Sequence, residues 1–184
     1  MGIFSKWFDQ RTKQQSDFHM QPFNEETKEK MKLLKAYLAN ATDETFYDIL
    51  ADSGLAPVMW IDWREEDDAI IGYCENIIQT GQLHAFVNDT DDKLGFEIII
   101  EYKGQPHKIH YAGEGADRDT TIMTLNEVLK PDFEIRFCMH SNGGDTLAFL
   151  PLAVPLWEVL EQEFGHTHVR RYFKPLSEKS KLFN

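Results

Sequence analysis

Apolar residues recur at spacings of three and four in five stretches of the chain, which is the period of an α-helix with one buried side. The first stretch follows Asn24, a predicted N-cap, and its apolar side carries Met31, Leu34, Tyr37 and Leu38. Further helices are predicted from Thr42 or Asp43 to Gly54, from about Glu65 to Gly81, from Thr120 or Thr121 to Lys130, and from Pro155 to Gly165. The first two of the five are expected to form a helical hairpin.

Elsewhere the apolar period shortens to two, which is typical of β-strands that are covered on one side. Strands are predicted at residues 56–63, 83–89, 133–140, 146–150 and 169–173, and residues 94–113 are predicted to form a hairpin around a Lys-Gly-Gln-Pro turn. The chain is therefore predicted to be α+β. It is expected to be a single domain with a mainly antiparallel β-sheet of about five strands and helices packed on one face.

No internal repeat and no Pro-rich or Ser-rich linker divides the body of the chain. Residues 1–23 are predicted to hold an N-terminal apolar patch, formed by Ile3, Phe4, Trp7 and Phe8, and a polar connector. Residues 24–176 are predicted to form the single α+β domain, and residues 177–184 a polar, basic tail. The role of the patch stays open between membrane contact, docking onto the protein body and fraying.

The charge of the chain is strongly negative and unevenly distributed. The 184 residues include 31 acids and 19 bases, for a formal net charge of −12. Eleven acids and only two bases lie between Asp62 and Glu101. Such a field repels phosphate backbones, so nucleic-acid binding is not expected, and it favours a basic protein partner. A surface that serves only solubility is the alternative interpretation.

The two cysteines indicate a reducing compartment. Cys74 and Cys138 lie in apolar stretches rather than in loops, so no disulfide framework is predicted and the cytoplasm is the expected location. The N-terminus lacks the pattern of a secretory signal, and no apolar stretch is long enough to predict a membrane span.

Alternation along the strands divides their side chains between two faces. In residues 133–140 the odd positions are apolar and should be covered by helices, whereas the even positions are mixed and polar. The hairpin at residues 94–113 divides in the same way. The more polar side is predicted to be a partner-binding face, formed by Glu97, Ile99, Glu101, His110, Glu134, Arg136 and His140.

Acids and imidazoles elsewhere offer a second hypothesis. His166 and His168 are two residues apart, so on a strand they would lie on one side and could share a metal ion. Together with Asp117, Asp119 and His140 they could serve a small metal-dependent hydrolase. No complete catalytic motif is present in the sequence. No catalytic, cofactor-binding or metal-binding residue is therefore assigned, and no cofactor is predicted.

The sequence favours a non-enzymatic, acidic, cytoplasmic protein-binding module, such as an inhibitor or immunity-type protein for a basic partner. Bacterial immunity proteins, small acidic proteins that block a toxin, share this general size and charge, and the comparison is by analogy alone. Two alternatives stay open. One is the metal-dependent hydrolase that uses Asp and His side chains, and the other is a self-associating structural component joined by the N-terminal patch. The oligomeric state is not predicted.

Overall fold

The structure is a computed structural model and describes residues 24–51, 55, 57–113, 115–177 and 180–183. The N-terminal patch of Ile3, Phe4, Trp7 and Phe8 lies outside these residues. The described residues contain six α-helices, which are α1 Glu25–Ala39, α2 Asp43–Thr45, α3 Asp67–Ile78, α4 Arg118–Leu129, α5 Val154–Phe164 and α6 His166–Tyr172. Helix α2 continues as a π-helix over Phe46–Ala51. None of the described helices combines the length and the apolar character needed to cross a membrane.

In the part of the chain that the structure describes, seven strands form two antiparallel sheets. They are β1 Met59–Asp62, β2 Leu83–Asp89, β3 Phe96–Tyr102, β4 Gln105–Lys108, β5 Phe133–Cys138, β6 Thr146–Ala153 and β7 Phe173–Pro175. The large sheet has the order β1-β6-β5-β7, and the small sheet has the order β2-β3-β4. The predicted α+β class with antiparallel strands is confirmed, and its strands divide between two sheets.

The apolar core lies on both sides of the large sheet. On one side, Phe137 and Phe149 join α3, α4 and the inner side of the small sheet in the first core cluster. On the other side, Leu150 and Phe173 join α1, the π-helix, α5 and α6 in the second core cluster. Helices therefore cover both faces of the large sheet, whereas the described residues cover only one face of the small sheet.

The predicted strand at residues 169–173 is wrong, because residues 166–172 form α6 and only Phe173–Pro175 are extended. Gly165 interrupts the helical run with φ +86, and the chain then re-enters a helix. Val169 is buried while Arg170 and Arg171 are exposed. Because the stretch is so short, its apolar positions fit a helical period as well as a strand period. The sequence alone therefore does not decide between a helix and a strand here.

Two helix boundaries also differ from the prediction. Helix α4 begins after Asp117, whose carboxylate accepts a hydrogen bond from the Asp119 N–H, rather than at Thr120 or Thr121. Helix α3 ends at Gln79, which adopts a left-handed conformation with φ 52, two residues before the predicted Gly81.

The C-terminal segment contacts the body of the fold. The Asp119 carboxylate accepts backbone hydrogen bonds from Leu182 at 2.9 Å and from Phe183 at 3.4 Å. The Phe183 ring stacks on Phe149, with 5.9 Å between the ring centroids. Leu176, Leu182 and Phe183 thus pack against the first core cluster.

Candidate functional site

The small sheet has one buried side and one exposed side. On β3 the side chains of Ile98, Ile100 and Tyr102 are buried in the first core cluster. Glu97, Ile99 and Glu101 alternate with them and are partly exposed on the opposite side. This placement agrees with the alternation in the sequence. His110 is also exposed, and it lies two residues after the end of β4.

Strand β2 adds apolar surface to this exposed side. The register places His84 opposite Glu101, Phe86 opposite Ile99 and Asn88 opposite Glu97. The Phe86 side chain is 48% exposed, and its neighbour Val87 is 51% exposed. These are two of the large apolar residues that the fold leaves in contact with water. Phe86 lies on the exposed side opposite Ile99, whereas Val87 points to the other face of β2. An exposed aromatic residue with acids nearby has the character of the anchor of a protein interface.

The two acids of β3 differ in their surroundings. Glu97 accepts a hydrogen bond from Lys108 Nζ at 2.8 Å and another from Asn88 Nδ2 at 3.2 Å. The hydrogen bond from Lys108 has the larger effect, and together with the one from Asn88 it lowers the pKa of Glu97. Glu101 forms no ion pair with any described residue, so its charge is available to a partner.

The free edge of the small sheet is β2, and its backbone register is fixed at both ends. Lys103 N–H donates to Gln82 O, and Thr90 N–H donates to Gly95 O. In an antiparallel pair, residues that bond to the partner strand alternate with residues whose N–H and C=O groups point away from it. The even-numbered residues of β2 therefore bond to β3. The outward-pointing groups belong to Leu83, Ala85, Val87 and Asp89.

The opposite edge, β4, is protected against strand pairing. Ile109 N–H donates to Ile98 O, so the register turns the backbone of Pro106 and Lys108 away from β3. Proline has no N–H to donate, and an edge lysine resists a second strand by its charge. Strand β2 contains neither residue type, and among the described residues it pairs with β3 alone. Within the described ranges, β2 is therefore the one edge of the small sheet that is open to pairing.

Helix α3 runs beside this open edge and forms a groove with it. The groove has a volume of about 420 Å³, and β2 contributes residues 83–86 to its lining. From α3, Asp68, Gly72 and Glu75 line it at helical spacings of four and three. Glu75 accepts hydrogen bonds from Thr80 Oγ1 and the Gly81 N–H, which fixes the connection between α3 and β2. The Asp68 carboxylate has no hydrogen-bond partner within the described part of the chain.

Gly72 leaves space in the groove. It lies in the middle of α3 and is exposed, and no heavy atom of the described residues would lie within 4 Å of an added Cβ. Glycine within a helix costs about 1 kcal/mol relative to alanine. The chain thus carries a destabilising residue at a position that faces the groove and has room for a side chain.

We expect Gly72→Ala to raise the free energy of unfolding by about 0.5–1 kcal/mol, because alanine is the better helix former and its methyl group meets open space. Urea denaturation followed by circular dichroism measures this change. A lower free energy of unfolding would show that the position is crowded and that the groove is not open.

Arg136 is not part of an exposed face, contrary to the prediction. It is only 2% exposed because α5 covers this side of β5. Its guanidinium pairs with Glu134 and with Glu161, both at 2.7 Å, and lies 4.2 Å from the centre of the Trp157 ring. Burial opposes ionisation of Glu161, but hydrogen bonds from Arg136 and then Arg170 outweigh it and lower the pKa of Glu161. Arg136 and Glu134 therefore belong to a structural ion cluster on the large sheet.

His140 is also separated from the small sheet. It lies in a 3₁₀ turn, Met139–Ser141, and its ring is stacked on Phe46 with 5.8 Å between centroids. Its Nδ1 atom is 2.6 Å from Asp43 Oδ1 without the alignment of a hydrogen bond. A cleft of about 560 Å³ in front of it is lined also by Tyr47 and Arg171. The predicted face thus divides into three places, of which the small sheet keeps Glu97, Ile99, Glu101 and His110.

The residues of the hydrolase hypothesis do not converge. His166 and His168 lie on α6 rather than on a strand, and His168 Nε2 is 2.9 Å from a backbone carbonyl of α1. Asp117 caps α4, and Asp119 binds the C-terminal segment. His140 lies beside Asp43, and its ring and that of His168 both pack against Tyr172. Across the described ranges, no group of three or more His, Cys, Asp or Glu side chains could hold a metal ion.

One acid of the negative stretch is buried rather than available to a partner. Asp67 is 3% exposed, and Thr121 Oγ1 donates a hydrogen bond to its Oδ1 atom. Burial raises the pKa of Asp67, and the hydrogen bond from Thr121 opposes this effect without cancelling it. Asp67 therefore carries its charge at a cost to the folded state.

We expect Asp67→Asn to raise the free energy of unfolding at pH 7, since the amide oxygen can still accept from Thr121 and the buried charge is removed. A carboxyl group whose pKa is raised by folding contributes stability below its unfolded pKa and loses it as the pH rises through the folded pKa. The advantage of the variant should thus shrink as the pH falls from 7 toward the ordinary aspartate pKa. Urea denaturation at several pH values measures it. An Asn variant that is less stable at pH 7, with an unchanged pH dependence, would contradict this account.

Comparisons with known proteins give no relative for this chain: no family model, no curated protein and no solved structure matches it. The arguments for function therefore rest on the chain's own surface.

Proposed function

We propose that this protein is a binding module for a basic protein partner and that the small sheet is its docking surface. The observation that carries the proposal is the state of β2. It is an unprotected edge strand with two half-exposed apolar side chains, Phe86 and Val87. The acids Asp68, Glu75 and Glu101 lie beside it.

Charge and apolar surface have separate tasks in this proposal. Complementary charge speeds the encounter of two proteins and selects against wrong partners, whereas buried aromatic side chains contribute most of the binding free energy. The chain's net charge of −12 supports the first task, and Phe86 supports the second. An inhibitor or immunity-type protein that covers a basic surface on its target would use both. Two buried free thiols, Cys74 and Cys138, support the cytoplasm as the compartment.

The experiment compares capture of proteins from the source cells by the immobilised wild-type chain and by two charge reversals. Glu101→Lys changes the docking surface. Glu158→Lys makes the same change at an exposed position of α5. Because α5 packs on the second core cluster, away from the small sheet, this variant serves as the matched control. We expect a basic protein that wild type and Glu158→Lys retain and Glu101→Lys loses, with an association rate that falls as salt is added. Recovery of no basic protein, or equal capture by the two variants, would contradict the proposal.

A further inference from the structure

We infer that the partner docks through an extended basic segment, which adds to β2 as a fourth strand of the small sheet and lies in the groove between β2 and α3. The inference rests on the proposed function and specifies how that surface is used. Addition of a strand to a sheet edge is a general mode of peptide recognition, in which backbone hydrogen bonds give affinity and side-chain pockets give specificity.

The backbone of β2 supplies the first requirement, an unpaired edge. The outward-pointing N–H and C=O groups of Ala85 and Val87 lie in the middle of β2 and have no strand partner among the described residues. A second strand would lie about 4.8 Å away and would pair with these groups in the ordinary antiparallel or parallel manner. The register along β2 therefore provides a template for an extended peptide.

Helix α3 supplies the second requirement, a wall that gives the added strand a defined place. Gly72 leaves the middle of this wall without a side chain, where the backbone of an added strand could come close. The wall also excludes a second layer of strands on this side. A single extended segment is thus the shape that fits between the helix and the sheet edge.

The charges beside the groove indicate which segment fits. Asp68 and Glu75 are seven residues apart on α3, which places them about 10 Å apart along the helix axis. Basic side chains at alternate positions of the added strand would point toward this wall and could pair with both acids. On the exposed side of the sheet, Phe86 and Ile99 offer an apolar surface to the intervening side chains.

A second copy of this chain is a poorer occupant of the groove. Pairing β2 with β2 of another copy would bring two strongly acidic surfaces together, with eleven acids and two bases between Asp62 and Glu101 on each. Like charges placed opposite each other oppose such an interface. Charge complementarity therefore favours a basic segment over self-association.

The test uses the full chain and a capped peptide of about ten residues in which Lys and Thr alternate. One control peptide has the same side chains but carries an N-methyl group at every residue, so that neither of its edges can donate backbone hydrogen bonds to β2. A second control has Glu in place of Lys. We expect the Lys-Thr peptide to bind and the N-methylated peptide to bind at least about tenfold more weakly, which corresponds to 1.4 kcal/mol.

Two variants of Gly72 locate the binding in the groove. Gly72→Leu fills the space beside the edge, and it should weaken binding of the Lys-Thr peptide at least about tenfold. Gly72→Ala adds only a methyl group, so it should weaken binding less than Gly72→Leu does, and it controls for the change in helix stability. Light scattering of the free chain establishes whether copies pair with each other at this edge.

The outcomes separate this inference from the proposed function. Equal binding of the Lys-Thr and N-methylated peptides would overturn strand addition while leaving a charge-based docking surface in place. No binding of the Lys-Thr peptide, or a dimer that Gly72→Leu disrupts, would overturn the basic segment as the occupant. The proposed function itself fails on a different result, which is the equal capture of partners by Glu101→Lys and Glu158→Lys.

Discussion

Replacement of Arg136 by alanine is expected to lower the free energy of unfolding by about 3–5 kcal/mol, the usual cost of removing one partner from a buried ion cluster. The guanidinium is almost fully buried and forms ion pairs with Glu134 and Glu161. Without it, two carboxylates would be left close together with little access to water. The Trp157 ring would also lose the cation that lies over its face.

Arg136→Lys is the matched control for this prediction. Lysine keeps the positive charge but cannot bind both carboxylates with one planar group. The free energy of unfolding of Arg136→Lys should therefore lie between those of wild type and Arg136→Ala. Urea denaturation of the three proteins gives the comparison. A cost below about 1 kcal/mol for Arg136→Ala, the range of exposed ion pairs, would show that Arg136 is exposed in solution. If Arg136→Ala lost partner capture without losing stability, Arg136 would belong to the docking surface after all.

The second large effect is expected at Phe149, where alanine should lower the free energy of unfolding by about 3–5 kcal/mol. Phe149 is fully buried in the large sheet, and its ring contacts Phe137 on β5 and Phe183 in the C-terminal segment. Truncation would leave a cavity in the first core cluster. It would also remove the ring on which the C-terminal segment packs.

Two further variants divide this effect into its parts. Phe149→Leu keeps most of the apolar volume and should cost less than about 1.5 kcal/mol. Phe183→Ala removes the contact from a partly exposed position, and its cost should be about 1 kcal/mol. If limited proteolysis cuts the C-terminal segment at the same rate in wild type and Phe149→Ala, the packing of Leu182 and Phe183 is not a stable part of the fold.

Local patterns in the sequence predicted the parts of the fold that depend on one element at a time. The sequence predicts Asn24 as an N-cap, and its side chain accepts a hydrogen bond from the Thr27 N–H. On β3, a period of two separated Glu97 from Ile98 correctly, because neighbouring side chains on a strand must lie on opposite faces. These features follow from backbone geometry and need no knowledge of tertiary contacts.

Tertiary packing determined what the sequence did not reveal. Alternation separates Arg136 from its neighbours on β5, but it does not say that α5 will cover that face as well. In the sequence, a buried arginine also looks the same as an exposed one. Glu161, the partner of Arg136, is 25 residues away along the chain. In the C-terminal segment, the charged composition predicts a solvent-exposed tail, whereas Leu182 and Phe183 pack on the core.

The sequence does not reveal the groove beside β2 for a similar reason. Its walls come from two elements whose proximity depends on the short connection between α3 and β2. One signal was present in the sequence, because β4 contains Pro106 and Lys108 while β2 contains neither proline nor lysine. Read as protection of a sheet edge, this contrast would have indicated which edge is open.

The central claim is that the edge of β2 is unpaired in the free protein and becomes paired when a partner docks. Amide hydrogen exchange along β2, with and without the Lys-Thr peptide, tests this most directly. In the free chain, the amides of Ala85 and Val87 should exchange faster than those of His84 and Phe86, and saturation with the peptide should slow them. If Ala85 and Val87 are already protected in the free chain, or if they exchange at the same rate with the peptide bound, the claim is contradicted.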